Sequence, residues 1–278
     1  MEVKPGYYTN ISNDDYHSGP GISKSHLDEI CVSPLHYWAR YIDPDRQPER
    51  KTPALILGDA IDKAILEPDL VAQHFAVMPE VDGRTKEGKE VKALFMHENA
   101  GKTFLSPEEH KLIIACRDAV HRHPVAGGLL RGGQAQAAFY AIDPDTGELI
   151  KCKTDMLHNS GMVVDLKTTE DASPDAFAGS LRKYRYFVQE PWYRDTIKLA
   201  VGEAPQRFVF VAVEKKWPHA IGVYFVPEED VGRGRAVARR DLLRIHQHKQ
   251  SNTWPDYGMT PVALPLPDWS RRAIDNEF

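Results

Sequence analysis

The chain is poor in cysteine, in long apolar runs and in excess charge of one sign, and each shortage removes a class of function. Cys31, Cys116 and Cys152 are its only cysteines and none has Cys-x-x-Cys spacing. That pattern argues against a disulfide framework and against a zinc or iron–sulfur site. No apolar run approaches the ~20 residues of a membrane span. Met1-Glu2-Val3-Lys4-Pro5 has neither the basic nor the apolar part of a signal peptide. The expectation is therefore a cytoplasmic protein with no membrane contact. A formal net charge of -5 speaks against a generally basic nucleic-acid coat, though an acidic molecule can still hold a basic channel.

What the chain does have is a hydrophobic content of 42%, ample for a buried core. Its punctuation reads as one α/β domain over residues 1–278: a mainly helical part (1–130), a part with the sheet and a helix (131–230), and a C-terminal helix and tail (231–278). Ser23 and Ser33-Pro34 open helices, the first running from about Lys24 to Cys31, and apolar residues from Leu55 to Leu66 recur at helical spacing. Asp82 to Lys102 is charged and rich in glycine and reads as an exposed or mobile segment. Ser106-Pro107-Glu108-Glu109 is a helix start with N-cap, proline and first-turn acids in place. Strands are expected at Ala137–Ile142, Leu149–Leu157, Met162–Leu166, Arg207–Val213 and Ala220–Val226. A helix from Arg235 to Lys249 and a proline-rich tail from Trp254 close the chain.

The chemistry concentrates in Lys153-Thr154-Asp155-Met156-Leu157, a turn, and Met162-Val163-Val164-Asp165-Leu166-Lys167. Asn159-Ser160-Gly161 suits a three-residue hairpin loop ending in a glycine of positive φ. With that loop Asp155 falls opposite Asp165, and Lys167 shares the face of Asp165 while Val164 and Leu166 point to the core. Like charges facing each other in a sheet repel unless something neutralises them. A cation is the simplest neutraliser, and hard oxygen ligands favour magnesium or manganese. Two solvated aspartates beside a turn are the competing reading. Farther on, Arg182, Tyr186, Gln189 and Tyr193 fall on one side of a single helix, with Lys183 and Arg185 nearby, a pattern suited to a phosphate backbone or to an ordinary solvated helix face. Pro191 would kink that helix or lie near its start.

Asp155, Asp165-Leu166-Lys167-Thr168-Thr169 and the Gln189/Tyr193 pair resemble the PD-(D/E)xK nuclease signature in its RecB-like form. Pro20-Gly21-Ile22-Ser23-Lys24-Ser25, Leu66-Glu67-Pro68, Asp143-Pro144-x-Thr146-Gly147, Cys152 and Tyr184-Arg185-Tyr186-x-Val188-Gln189 extend the similarity nearly end to end, to the C-terminal nuclease domain of RecE-type exodeoxyribonuclease VIII. The resemblance implies a restriction-endonuclease-like α/β core, a central mixed sheet flanked by helices with an N-terminal helical elaboration. It implies a magnesium-dependent exodeoxyribonuclease, manganese substituting, that digests one strand of linear duplex DNA from its ends, 5′ to 3′, in phage-type recombination. A homotetrameric ring and a RecT-type single-strand annealing partner come with it.

By the same resemblance Asp155, Asp165 and the Leu166 carbonyl bind metal, Lys167 positions or activates the attacking water, and Gln189 and Tyr193 contact DNA. Where that family has a histidine ligand this chain has Asp62, which can itself coordinate magnesium. Where the family has a glutamate before the hairpin it has Gln136, a poorer cation ligand. These departures keep two alternatives open, a DNA-binding protein of the same fold with weakened catalysis and an endonuclease of the superfamily. Gly101-Lys102-Thr103 lacks the earlier glycine of a phosphate-binding loop, and His121-x-His123 and His246-x-His248 lack zinc-ligand spacing.

Overall fold

The computed structural model describes residues 3–47, 52–258 and 260–277. In chain order the elements are β1 (Gly6–Tyr8), α1 (Asn13–Ser18), α2 (Lys24–Val32), α3 (Pro34–Tyr41), α4 (Pro53–Leu66), α5 (Val71–His74), β2 (Phe75–Val77), α6 (Lys86–Glu98), β3 (Thr103–Leu105), α7 (Pro107–Arg122) and α8 (Ala126–Leu129). There follow β4 (Gly133–Ala135), β5 (Ala138–Ile142), β6 (Leu149–Lys153), β7 (Met156–His158), β8 (Met162–Thr169), α9 (Pro174–Lys183), α10 (Tyr186–Val201), β9 (Arg207–Glu214), β10 (Ile221–Tyr224), α11 (Glu228–Ser251) and α12 (Asp268–Asp275).

The helix starts are chemical. The Ser33 and Thr52 hydroxyls accept from the His36 and Leu55 amides at 3.2 and 3.3 Å. Ser106 and Glu109 cap each other's backbone at 3.1 and 2.7 Å. Thr85 accepts from the Gly88 amide at 3.0 Å, and that cap starts α6 inside the stretch expected to be an exposed or mobile segment. A second difference is α12, in the tail beyond Trp254.

The central sheet is mixed and runs β10-β9-β8-β7-β4, with β8 and β9 parallel and the other pairs antiparallel. On one face α10, α11 and α2 pack over Val163, Phe208 and Phe210; on the other α4 and α7 cover Val164, Leu166, Val211 and Val213. Burial on both faces explains why β9 reads as an almost unbroken apolar run. A second sheet, β1-β5-β6, carries the chain's N-terminal strand.

The expected strand Leu149–Leu157 divides at Thr154-Asp155 into β6 and β7, which lie in different sheets. Pairing keeps one register across the division, Ala135 facing Met156 on one side and Ala138 facing Lys153 on the other. The two sheets thus share one antiparallel ribbon bent in the middle. The bend is held by Gln136, in the left-handed region at φ 54, whose amide donates to the Asp155 carbonyl at 3.0 Å. Beside it the buried Thr154 donates to the Ala137 carbonyl through its amide (2.8 Å) and its hydroxyl (3.3 Å).

The single helix expected across Arg182 to Tyr193 is also divided, at Tyr184-Arg185, where Arg185 adopts φ 55. Pro191 lies inside α10 and has no N–H to give the Phe187 carbonyl. α11 crosses there at Gly234, where an added Cβ would lie 1.9 Å from that oxygen. Gly234→Ala must push α11 away from α10, and overpacking of this kind costs about 1–3 kcal/mol. Gly232→Ala, with nothing within 4 Å on the same helix, should be neutral or stabilising. Denaturant unfolding of the two variants checks the contrast.

Candidate active site

The bend in the ribbon sets up the site. β7 pairs with β8 only as far as Met156 and Val164. One residue farther the register brings Asp155 opposite Asp165, as the hairpin loop predicts, with Gly161 at φ 77 and its amide bonded to the His158 carbonyl at 2.9 Å. Asp155 no longer continues the ladder through its backbone; its Oδ2 instead accepts the Leu166 N–H at 2.7 Å. The N–H and C=O of one strand residue face the same edge, so the Leu166 carbonyl also points into the gap beyond β7.

Asp165 is buried, on the face of β8 covered by α10. Its Oδ1 accepts from Gln189 Nε2 at 2.6 Å. Its Oδ2 stands 2.5 Å from Lys167 Nζ, within ion-pair distance, yet receives no aligned hydrogen bond. Burial, and after it the Asp165 charge, pushes the Asp155 carboxyl up to about 7. Burial alone would lower the Lys167 ammonium, but the Asp165 and Asp155 charges outweigh it and hold the group above its ordinary value. The Tyr186 ring lies 4.8 Å from Lys167 Nζ. The Tyr193 and Phe208 rings meet edge to face with centroids 5.7 Å apart, and burial followed by the nearby Asp165 raises the Tyr193 hydroxyl pKa.

Asp62 comes from α4, on the opposite face of the sheet, where Gly58 brings the helix against Thr168. Its carboxyl is raised well above the usual range by burial first and then by Asp155, with Lys167 opposing and Asp165 adding. Among the described residues, no three His, Cys, Asp or Glu side chains stand close enough together to hold an ion as they lie. The chemistry of the donors nevertheless suits a hard divalent cation: carboxylates on Asp155, Asp165 and Asp62 and a main-chain carbonyl at Leu166, with the buried Asp165 Oδ2 engaged by the Lys167 charge but by no aligned hydrogen bond. Gln136 faces Asp155 across the ribbon and serves the bend through its backbone.

The remaining sequence candidates lie at the α9–α10 junction. Arg182 and Lys183 are exposed. Arg185 is not available to a phosphate: its guanidinium pairs with the buried Asp241 and with Asp28, and donates to the Leu27 carbonyl at 2.8 Å. It ties α10 to α2 and α11. Lys24 carried no role in the sequence reading, yet its Nζ lies 5.9 Å from the Tyr186 ring and is held by Asp28 at 2.7 Å and the Tyr184 carbonyl at 2.6 Å. Its only sequence signal is its place in the Pro20–Ser25 motif.

If the carboxylates form a cation site, magnesium should raise the melting temperature, by about 2–4 °C for each kcal/mol of binding in a chain this size. Asp165→Asn should remove that rise. Differential scanning calorimetry with and without the ion checks it; an equal rise in the variant would place the ion elsewhere.

Residues 23–260 match the family described as "PDDEXK-like domain of unknown function" (DUF3799). Among solved structures, that of a "Putative exonuclease" from Eubacterium rectale superposes with a TM-score of 0.63, covering 94% of this chain and 98% of that chain at 14% identity. That likeness is one of fold, an α/β PD-(D/E)xK core with a mixed sheet between helices. No curated protein matches the chain in sequence. With the family match spanning both walls of the site, from α2 through the bent ribbon to α11, the chain belongs to the PDDEXK-like family DUF3799.

Proposed function

We propose that this chain is a metal-dependent exodeoxyribonuclease of the RecE type that releases nucleotides from the ends of linear duplex DNA. The observation that carries the reading is the arrangement at Asp165, one oxygen bonded to Gln189 and the other facing Lys167, with Asp155 directly across the gap. The fold of the family and the exonuclease assignment of the Eubacterium rectale protein that shares it support the reading.

Asp155, Asp165 and the Leu166 carbonyl would hold magnesium, or manganese in its place, with Asp62 reaching the gap from α4. Bound there, such an ion would supply Lewis-acid chemistry, polarising the phosphate and making water more acidic. Lys167 would orient the attacking water and stabilise negative charge developing on the phosphate, in a buried setting where one fixed cation counts for more than in water. Gln189 fixes the Asp165 carboxylate, and by the resemblance Tyr193 would contact the DNA beside it. Digestion from 5′ to 3′, the homotetrameric ring, a role in phage-type recombination and a RecT-type annealing partner rest on the resemblance to RecE-type nucleases.

Lys167→Ala should reduce nucleotide release from linear duplex DNA in magnesium by at least about 10²-fold while leaving the circular dichroism spectrum unchanged. Closed circular duplex should stay intact with the wild-type protein. Undiminished release by the variant would remove Lys167 from the reaction, and cutting of circles would replace the end-dependent reading with an endonuclease.

A further inference from the structure

Beside Lys167 a groove of about 480 Å³ opens between α2 and the α9–α10 junction, within the ~300–1,000 Å³ of small-ligand sites. Lys24, Lys183, Arg185 and Asp28 line it; Asp28 pairs with Lys24 and Arg185, and Asp241 also holds Arg185. The groove's aromatic members are Tyr184 and Tyr186. Tyr184 is 49% exposed, its ring 5.6 Å from that of Tyr186 at 28°. Lys183 Nζ lies 5.1 Å from the Tyr184 ring. On the inner side, the Tyr186 ring reaches to 4.8 Å from Lys167 Nζ.

We propose that this groove is a subsite for an unpaired nucleotide of the strand being cut, its base stacked on Tyr184 and its phosphate facing Lys183. The inference rests on the nuclease reading of the adjoining site. Continuity is the first support, because Tyr186 bridges the groove to the catalytic lysine and a strand leaving the scissile phosphate has this groove as its neighbour. Charge is the second, because the exposed Lys183 lines the groove beside Tyr184, whereas Lys24 and Arg185 there are paired with Asp28 and Asp241. The third is rigidity: Lys24 holds the Tyr184 carbonyl at 2.6 Å, and Arg185 is anchored to Asp241 and Leu27. A platform already in place loses little freedom when a base settles on it.

The occupant follows from the chemistry of the lining. Within a strand, a base can lie flat on a tyrosine only when unstacked from its neighbour, so beyond the open face of a terminal pair the groove favours an unpaired base over intact duplex. Among the described residues no asparagine or glutamine lines the groove to read a base edge, and Lys24, Asp28 and Arg185 are engaged with one another and with Asp241, so stacking there should tolerate any base. The groove would thus take single-stranded nucleic acid without sequence preference and draw the frayed end toward Lys167.

The test uses the full chain with calcium in place of magnesium and a short fluorescent single-stranded DNA followed by anisotropy. Nucleotide release in magnesium is measured in parallel. Tyr184→Ala should weaken binding about 10-fold, or about 1.4 kcal/mol, within the range for one stacked base, and should raise KM. Tyr184→Phe, which keeps the ring face, should bind as the wild type does, and the loss in Tyr184→Ala should be similar for all four bases. Wild-type affinity in Tyr184→Ala, with nucleotide release intact in the wild type, would overturn the subsite and leave the nuclease reading standing. A wild-type protein that neither binds nor cuts DNA would overturn both.

Discussion

Two carboxylates held face to face at the end of a strand pair are the constraint on which the rest of this structure depends. Asp155 and Asp165 meet where β7 stops, and neither can withdraw. Asp155 is fixed by the Leu166 N–H and by a bend that Gln136 and Thr154 lock into the backbone. Asp165 is buried and tied to Gln189. Lys167 brings one positive charge to two negative ones, with Asp62 adding a third from the far face. Burial first, and that shortfall after it, raises the Asp155 and Asp62 carboxyls. Opposed like charges in a sheet are unfavourable, and their retention in a buried gap is intelligible if a cation completes the site.

The surrounding helices hold that arrangement rigid. α10 brings Gln189 to Asp165 and Tyr186 to Lys167, and its path is set by the Phe187 carbonyl freed at Pro191 and covered at Gly234 of α11. Arg185 fixes the start of the same helix by joining Asp28 on α2 to Asp241 on α11. N-terminal and C-terminal segments therefore both fix the start of the helix that faces Lys167, although neither supplies an acid of the hairpin.

Local chemistry made much of this legible in the sequence. The Asn159-Ser160-Gly161 loop gave the register that opposes Asp155 and Asp165, and Ser23, Ser33 and Ser106 marked helix starts that the structure retains. What escaped depends on partners distant in the chain. The division of β6 from β7 follows from bonds between Thr154 and Ala137 and between Gln136 and Asp155 across the ribbon. The break before α10 is a left-handed Arg185 stabilised by Asp241, and no periodicity announces it. The same pairing converts Arg185 from a candidate phosphate contact into an internal tie. α6 was hidden by its charge and its glycine, although Thr85 caps it in the ordinary way. Lys24 reaches the site only through tertiary packing of α2.

The most direct measurement is the anomalous signal of manganese in crystals of this protein. The expected result is an ion between Asp155 and Asp165, also touching the Leu166 carbonyl, with Lys167 displaced from Asp165 Oδ2. Crystals that take up no manganese in this gap and retain the Lys167–Asp165 pair would contradict the central claim, leaving the opposed aspartates as a buried ion-pair network rather than a cation site.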